Sequence, residues 1–385
     1  MIRNLIGALS LAILLPATSL AQLPYSHTTL VHGFNDNSDR FRIPNTPGLL
    51  GARVNLREVQ MPDLTGSLSI DAQATNLLPS LYGAHVLTGL SMGGLTSRSA
   101  YFKKPGNVSA IVTIATPHGG APIADNADRA TGYIANIVVD FFDSVIRIFY
   151  KPKPGTILNA VAVGLIHGVA KDVLTDMVKK DVDRQLGTNT AGRRDIRTTS
   201  PTVIDLKSKG DPLPKANVYG TIGRRNAVFR LGHSAVYKDA EFDGFVRKKN
   251  RVKSVVKACR QVAWNIIIRL EVGRVCNQID GALGSIDDRW ATWTMGAEAR
   301  HPHTTFDGFI PTSRSFYPGT FITDPLNFHA PGANHMNMQY DSRGINGIVG
   351  GMEHVGMERA APPPPGGGGT GDPPPNPCPP PMIQC

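Results

Sequence analysis

Only four cysteines occur in 385 residues, and none stands in a C-x-x-C or comparable ligand spacing, so zinc-ribbon, zinc-finger and dithiol redox classes are excluded. Beyond the N-terminus the chain also lacks an uncharged apolar run of the ~20 residues that a membrane-spanning helix needs. Residues 133–150 carry Asp140, Asp143 and Arg147, and the apolar stretch 156–170 is short and holds Asn159 and His167. Acidic residues are the minority, 30 against 40 Lys and Arg, which leaves a formal charge of +10. No zinc-finger, helix-turn-helix or RNP signature accompanies that excess, so no nucleic-acid partner is expected.

What is present begins with "MIRNLIGALSLAILLPATSLAQ": one cation at Arg3, an apolar run from Leu5 to Leu15, and small residues at Ser19 and Ala21. This is a signal-peptide pattern over 1–21, with cleavage after Ala21, and it implies a secreted or periplasmic protein; the alternative is an uncleaved anchor. In an oxidising compartment Cys259, Cys276, Cys378 and Cys385 permit two disulfides, with three pairings open. Part of the positive charge lies in "VRKKNRVKSVVKACR", where Val252, Val255, Val256 and Cys259 recur at helical spacing. Such a helix either packs its valines on the domain or lies against anionic lipid or an acidic partner. After Ala360 the composition collapses to proline and glycine, so 361–385 reads as a disordered tail.

Between those ends, 22–360 reads as one α/β domain with a mostly parallel central sheet and helices on both faces. Strands are expected at Thr28–Val31, Ala52–Val59, Ala84–Thr88, Ala110–Ile114 and Ala216–Ile222, and helices at Ser69–Tyr82 and Met92–Tyr101. A helical insertion over about 125–190 presents one apolar face through Ile134, Ile137, Val138, Phe141 and Val145. It is either a mobile lid or an ordinary packed cap. A second insertion runs over about 224–296 and holds the basic helix.

The chemistry gathers at "GLSMGG", residues 89–94, where an expected strand turns sharply into an expected helix. Glycines two positions either side of Ser91 let strand and helix approach, and the Ser91 side chain projects outward as a nucleophile. The Met92 N–H, at the helix start, is an unpaired donor suited to a developing oxyanion. A serine hydroxyl needs a base. His335 in "PGANHMNMQYD" lies in a loop before a helical pattern, and Asp307 in "TTFDGFIPTS" lies at a strand end before a turn. They are preferred over His303 and His329, and over Asp211 and Asp324, which are each followed by proline and read as turn formers. The second oxyanion donor is expected from the Phe34 N–H in "VHGF", with His32 a structural histidine holding that loop.

Taken in order, "VHGF", "GLSMGG", "IVTIATPHGGAP", "NVYGTIG", "DGFIPTS" and "NHMNM" resemble the secreted bacterial serine lipases and related esterases of the α/β-hydrolase superfamily. The resemblance covers roughly residues 28–124, 216–222 and 304–341, and neither insertion nor the tail. It implies Ser91 as nucleophile, His335 as general base and acid, Asp307 as its orienter, Phe34 and Met92 as oxyanion donors, an acyl-ester or lipid substrate and no cofactor. His118 matches the family pattern as a structural or pocket-lining residue. Some of these lipases hold a structural calcium through an aspartate two residues after the histidine. This chain has Asn337 there, and although Asp341 could add a carboxylate, the departure argues against calcium, which favours more charged oxygen ligands. Two rivals remain: an extracellular polyester depolymerase with the same chemistry, and a non-catalytic binding protein on the same fold.

Overall fold

A computed structural model describes residues 26–127, 190–224, 227, 231, 287–301 and 303–361. Six strands, β1 (Ser26–Val31), β2 (Leu56–Gln60), β3 (His85–Leu90), β4 (Val108–Ile114), β5 (Lys215–Thr221) and β6 (Asn327–Pro331), form one sheet in the order β2-β1-β3-β4-β5-β6. Every pairing is parallel. The registers Val31↔Gly89 and Leu90↔Ile114 bring the carboxyl ends of the central strands to one level. In parallel sheets that edge is where ligands and reactive groups collect.

Successive side chains on a strand point to opposite faces, and the central strands are apolar on both. Val86, Leu90, Ala110, Val112, Ile114, Ala216 and Val218 face one side, with Leu50, Ile345, Ile348 and Met352 packed on them. Leu87 and Ile111 face the other, against Ala74, Leu77 and Ala100. The helices that supply those layers are, in chain order, α1 (Asp39–Arg42), α2 (Thr46–Gly51), α3 (Ile70–Leu77), α4 (Met92–Lys103), α5 (Ala191–Asp195), α6 (Pro201–Ser208), α7 (Thr312–Ser315) and α8 (Ser342–His354). Thus α2 and α8 cover one face, and α3 and α4 the other. This is the α/β architecture expected from the sequence, a parallel central sheet with helices on both faces. Among the described residues no helix is long and apolar enough to cross a membrane.

Three differences have local causes. The expected strand from Ala52 begins only at Leu56, because Pro47 at the start of α2 favours a helix through Gly51. The helix expected over Ser69–Tyr82 ends at Leu77, with a 3-10 turn at Leu78–Ser80 around Pro79. Strand β6, "NFHAP", was not expected, since it is short, half-exposed and ends in proline; pairing with β5 defines it. The expected signal segment, most of both expected insertions, the expected tail from 362 and all four cysteines lie outside the described residues.

A buried polar cluster ties α4 to the segment before β5. The Arg98 guanidinium is fully buried and forms a 2.9 Å ion pair with Asp211, so this aspartate is a structural anchor and not a turn former alone. Arg98 also donates to the Leu206 carbonyl at 2.6 Å and lies 3.3 Å from His118 Nδ1. On its other side His118 Nε2 is 3.2 Å from Thr113 Oγ1, and the ring stacks on Tyr317. His118 is therefore structural. Replacing Asp211 by Ala would leave a buried cation without its partner and should cost about 3–5 kcal/mol of unfolding free energy, read from urea midpoints.

Burial, and then the Arg98 and Lys215 charges, hold the His118 imidazole well below its ordinary pKa of 6.5. As pH falls below 6.5 the unfolded chain binds a proton that the folded chain refuses. Stability is full above that point and declines toward the depressed folded value, by at most about 1.4 kcal/mol per pH unit for one proton. Urea titrations between about pH 6.5 and 5 should show a shallower decline in His118→Gln than in the parent.

Candidate active site

The turn from β3 into α4 holds Ser91 at φ 55° and ψ −127°, a conformation that L residues rarely adopt. Its N–H donates to the Ile114 carbonyl at 2.7 Å and its carbonyl accepts from Gly94 N–H at 3.0 Å. Glycines are required around it: a Cβ on Gly93 would stand 2.1 Å from the Val31 carbonyl oxygen, and one on Gly89 would stand 2.4 Å from the Gly93 carbonyl oxygen. A serine at a helix start ordinarily caps the helix with its own hydroxyl. Ser91 makes no such bond. Its Oγ points instead beyond the sheet edge and lies 2.9 Å from His335 Nε2.

His335 sits in the loop that leaves β6. Asn334 Oδ1 accepts from Met336 N–H at 2.9 Å, and Asn337 Oδ1 accepts from Asn334 N–H at 2.7 Å, so two side-chain turns stiffen this segment. The Nδ1 of His335 is 2.8 Å from Asp307 Oδ2, and its backbone N–H donates to the Asp307 carbonyl at 2.8 Å. The two loops are thus joined through main chain and side chain alike.

Asp307 is buried, and its second oxygen is fully occupied: Oδ1 accepts from the N–H groups of Phe309 and Ile310 at 2.9 and 2.7 Å. Trp290 Nε1 donates to the Gly308 carbonyl at 2.7 Å, and Phe309 lies between Trp290 and the His335 ring. With Oδ2 toward Nδ1–H, the tautomer follows: Nε2 carries the lone pair that accepts from the Ser91 hydroxyl.

The loop leaving β1 passes across Ser91. A Cβ added to Gly33 would be 3.0 Å from Ser91 Cβ, so only glycine fits comfortably. Among the described residues neither the Phe34 nor the Met92 N–H has a hydrogen-bond partner. Beneath them His32 Nε2 accepts from Leu64 N–H at 3.0 Å, and Nδ1 donates to the Gly33 carbonyl at 3.1 Å, which fits a loop-holding role.

The competing residues lie elsewhere. His329 is on β6 with Nε2 2.8 Å from Thr221 Oγ1, its ring stacked on Tyr219, and Asp324 accepts from Phe321 N–H in a surface turn. Donors for calcium are already committed. Asn337 Oδ1 serves the turn, while Asp341 caps α8 and pairs with Arg343 at 2.7 Å, whose guanidinium helps hold its carboxyl below the usual range against the opposing effect of burial. These residues do not fit a calcium ion. Sequence reasoning missed Trp290 and Arg98, because neither sits in a motif and their partners are distant in the chain.

Gly93→Ala should lower the urea midpoint by the equivalent of about 1–3 kcal/mol and reduce whatever chemistry Ser91 performs, because the clash falls on backbone rather than on a flexible side chain.

No family model and no curated protein matches the chain. Solved structures do. A mature lipase of Bacillus licheniformis is 13% identical, with 85% of this chain and 87% of that one aligned at a TM-score of 0.37. An extracellular α/β-hydrolase of a Paenibacillus species is 12% identical over 50% of this chain and 77% of that one, with a TM-score of 0.29. A pyrethroid hydrolase of Sphingobium faniae JZ-2 is 19% identical over 26% of this chain, with a TM-score of 0.21, and this chain spans only 44% of its length. The fold assignment rests on the sheet order and the turn at Ser91.

Proposed function

We propose that the protein is a secreted serine ester hydrolase that cleaves acyl esters through an acyl-enzyme. The observation that supports this reading is the unbroken row from Asp307 Oδ2 through His335 to Ser91 Oγ, with steps of 2.8 and 2.9 Å. In this reading Ser91 Oγ attacks the ester carbonyl as its proton passes to His335 Nε2, and Asp307 holds the ring and stabilises the imidazolium. The carbonyl oxygen gathers negative charge in the tetrahedral intermediate, where the N–H groups of Phe34 and Met92 receive it. His335 then gives its proton to the departing alcohol. Water enters, loses a proton to the same nitrogen and releases the acid, restoring Ser91.

No metal or cofactor is needed in this sequence of steps. The alternatives within the same chemistry, a triglyceride or a polyester substrate, are separated by assaying an emulsified triglyceride beside a polymer film.

Ser91→Ala should abolish hydrolysis of a nitrophenyl acyl ester and covalent labelling by a fluorophosphonate, with kcat falling on the order of 10⁴-fold or more. Retention of both by a folded Ser91→Ala protein would remove the assignment, and the fold would then serve binding alone.

A further inference from the structure

The loop carrying Phe34 and the loop carrying His335 are about 300 residues apart, and neither is regular secondary structure where it meets the site. Their separation must therefore be set by contacts across space. Arg40, in α1, supplies one. Its guanidinium donates to the carbonyl of Met336, the residue after His335, at 2.8 Å, and touches Met336 Sδ at 3.6 Å. Its Nε lies 3.4 Å from the carboxylate of Asp36, two residues after Phe34. That approach is Coulombic and lacks the alignment of a hydrogen bond. Both side chains are largely covered, 13% and 19% exposed, so the pair is less screened than a surface pair.

The ends that Arg40 joins are themselves anchored. On the Phe34 side, Asn35 N–H donates to the Gly66 carbonyl at 3.0 Å, and a Cβ on Gly66 would stand 2.5 Å from Asp36 N, so this loop is pressed against residue 66. On the histidine side, the Met336 carbonyl also accepts from Gln339 Nε2 at 3.3 Å, and the Gln339 carbonyl accepts from Thr46 Oγ1 at 2.9 Å. A cation between two anchored loops transmits any displacement of one to the other. The donor at Phe34 and the base at His335 act on the same tetrahedral centre, where misplacement by ~1 Å can cost on the order of 100-fold in rate.

We propose that Arg40 is a positioning residue, which locks the oxyanion loop to the histidine loop and thereby fixes the distance between the Phe34 N–H and His335 Nε2. This rests on the ester-hydrolase reading. Arg40 touches no reacting atom, so its loss should slow the chemical step and leave ground-state binding almost intact.

The test uses the full chain with a nitrophenyl ester, alongside Ser91→Ala as control. Arg40→Ala should lower kcat by about 10- to 100-fold with KM nearly unchanged. Methylguanidinium, at a concentration too low to denature, should restore part of that kcat. Asp36→Asn should lower kcat as well, and adding it to Arg40→Ala should bring little further loss, because both act on one link. A wild-type kcat in folded Arg40→Ala overturns the proposal, as does a loss that methylguanidinium leaves untouched. Should Arg40→Ala fail to fold, Asp36→Asn decides: reduced kcat at unchanged KM supports the link, and parental kcat overturns it. Turnover by Ser91→Ala equal to the parent's would overturn the hydrolase reading and this proposal together, whereas an inactive Ser91→Ala beside a fully active Arg40→Ala sinks the proposal alone.

Discussion

The backbone at Ser91 is the constraint on which the site depends. A non-glycine residue at φ 55° and ψ −127° stores strain of order 1–3 kcal/mol, and such a conformation persists only where its surroundings leave no alternative. Here β3 is buried throughout and α4 is buried from Met92 to Arg98, the Ser91 N–H is held by Ile114, and Gly89 and Gly93 remove the side chains that would force the turn open. Relaxing the turn would let the hydroxyl fold back onto the helix it precedes. Strained, the turn aims Oγ at an imidazole.

The same economy of small loops appears in the partners. Asp307 shapes its own turn by accepting from two backbone N–H groups with one oxygen, which frees the other for the ring. Asn334 and Asn337 do for the histidine loop what Asp307 does for the acid loop. Because the His335 N–H also reaches the Asp307 carbonyl, the row of groups rests on main-chain bonds as well as on side chains. Rigid local turns delivered by rigid strands hold this row of groups in place.

Away from the site, the Arg98 cluster performs a different task. It holds α4 to the carbonyl of Leu206 and to Asp211, just before β5, so the helix that begins at Ser91 is fastened on its far side too. A buried cation is costly alone and acceptable when carboxylate, carbonyl and aromatic faces surround it, as Asp211, Leu206 and Tyr317 do here.

Much of this was legible in the residues. Short apolar runs separated by helical periodicity announced a parallel sheet, since strands buried on both faces must be apolar throughout. The glycines around Ser91 announced the sharp turn, because close backbone approach is a demand that only one residue type meets. Asp307 and His335 could be chosen by their loop context, and the fold brings His335 to Ser91 and Asp307 to His335. Strand β6 was invisible, for a half-exposed edge strand draws its stability from its neighbour and not from its own composition. Asp211 illustrates the other limit: "GDPL" reads as a turn, and its pairing with Arg98, 113 positions earlier, is written nowhere nearby. By itself the sequence determined the type of layer, the position of the strained turn and which serine, histidine and aspartate were candidates to meet there, all of which follow from local patterns. Tertiary structure alone decided which distant polar groups meet, since hydrogen bonds and ion pairs act over a few ångströms of space and leave no period along the chain.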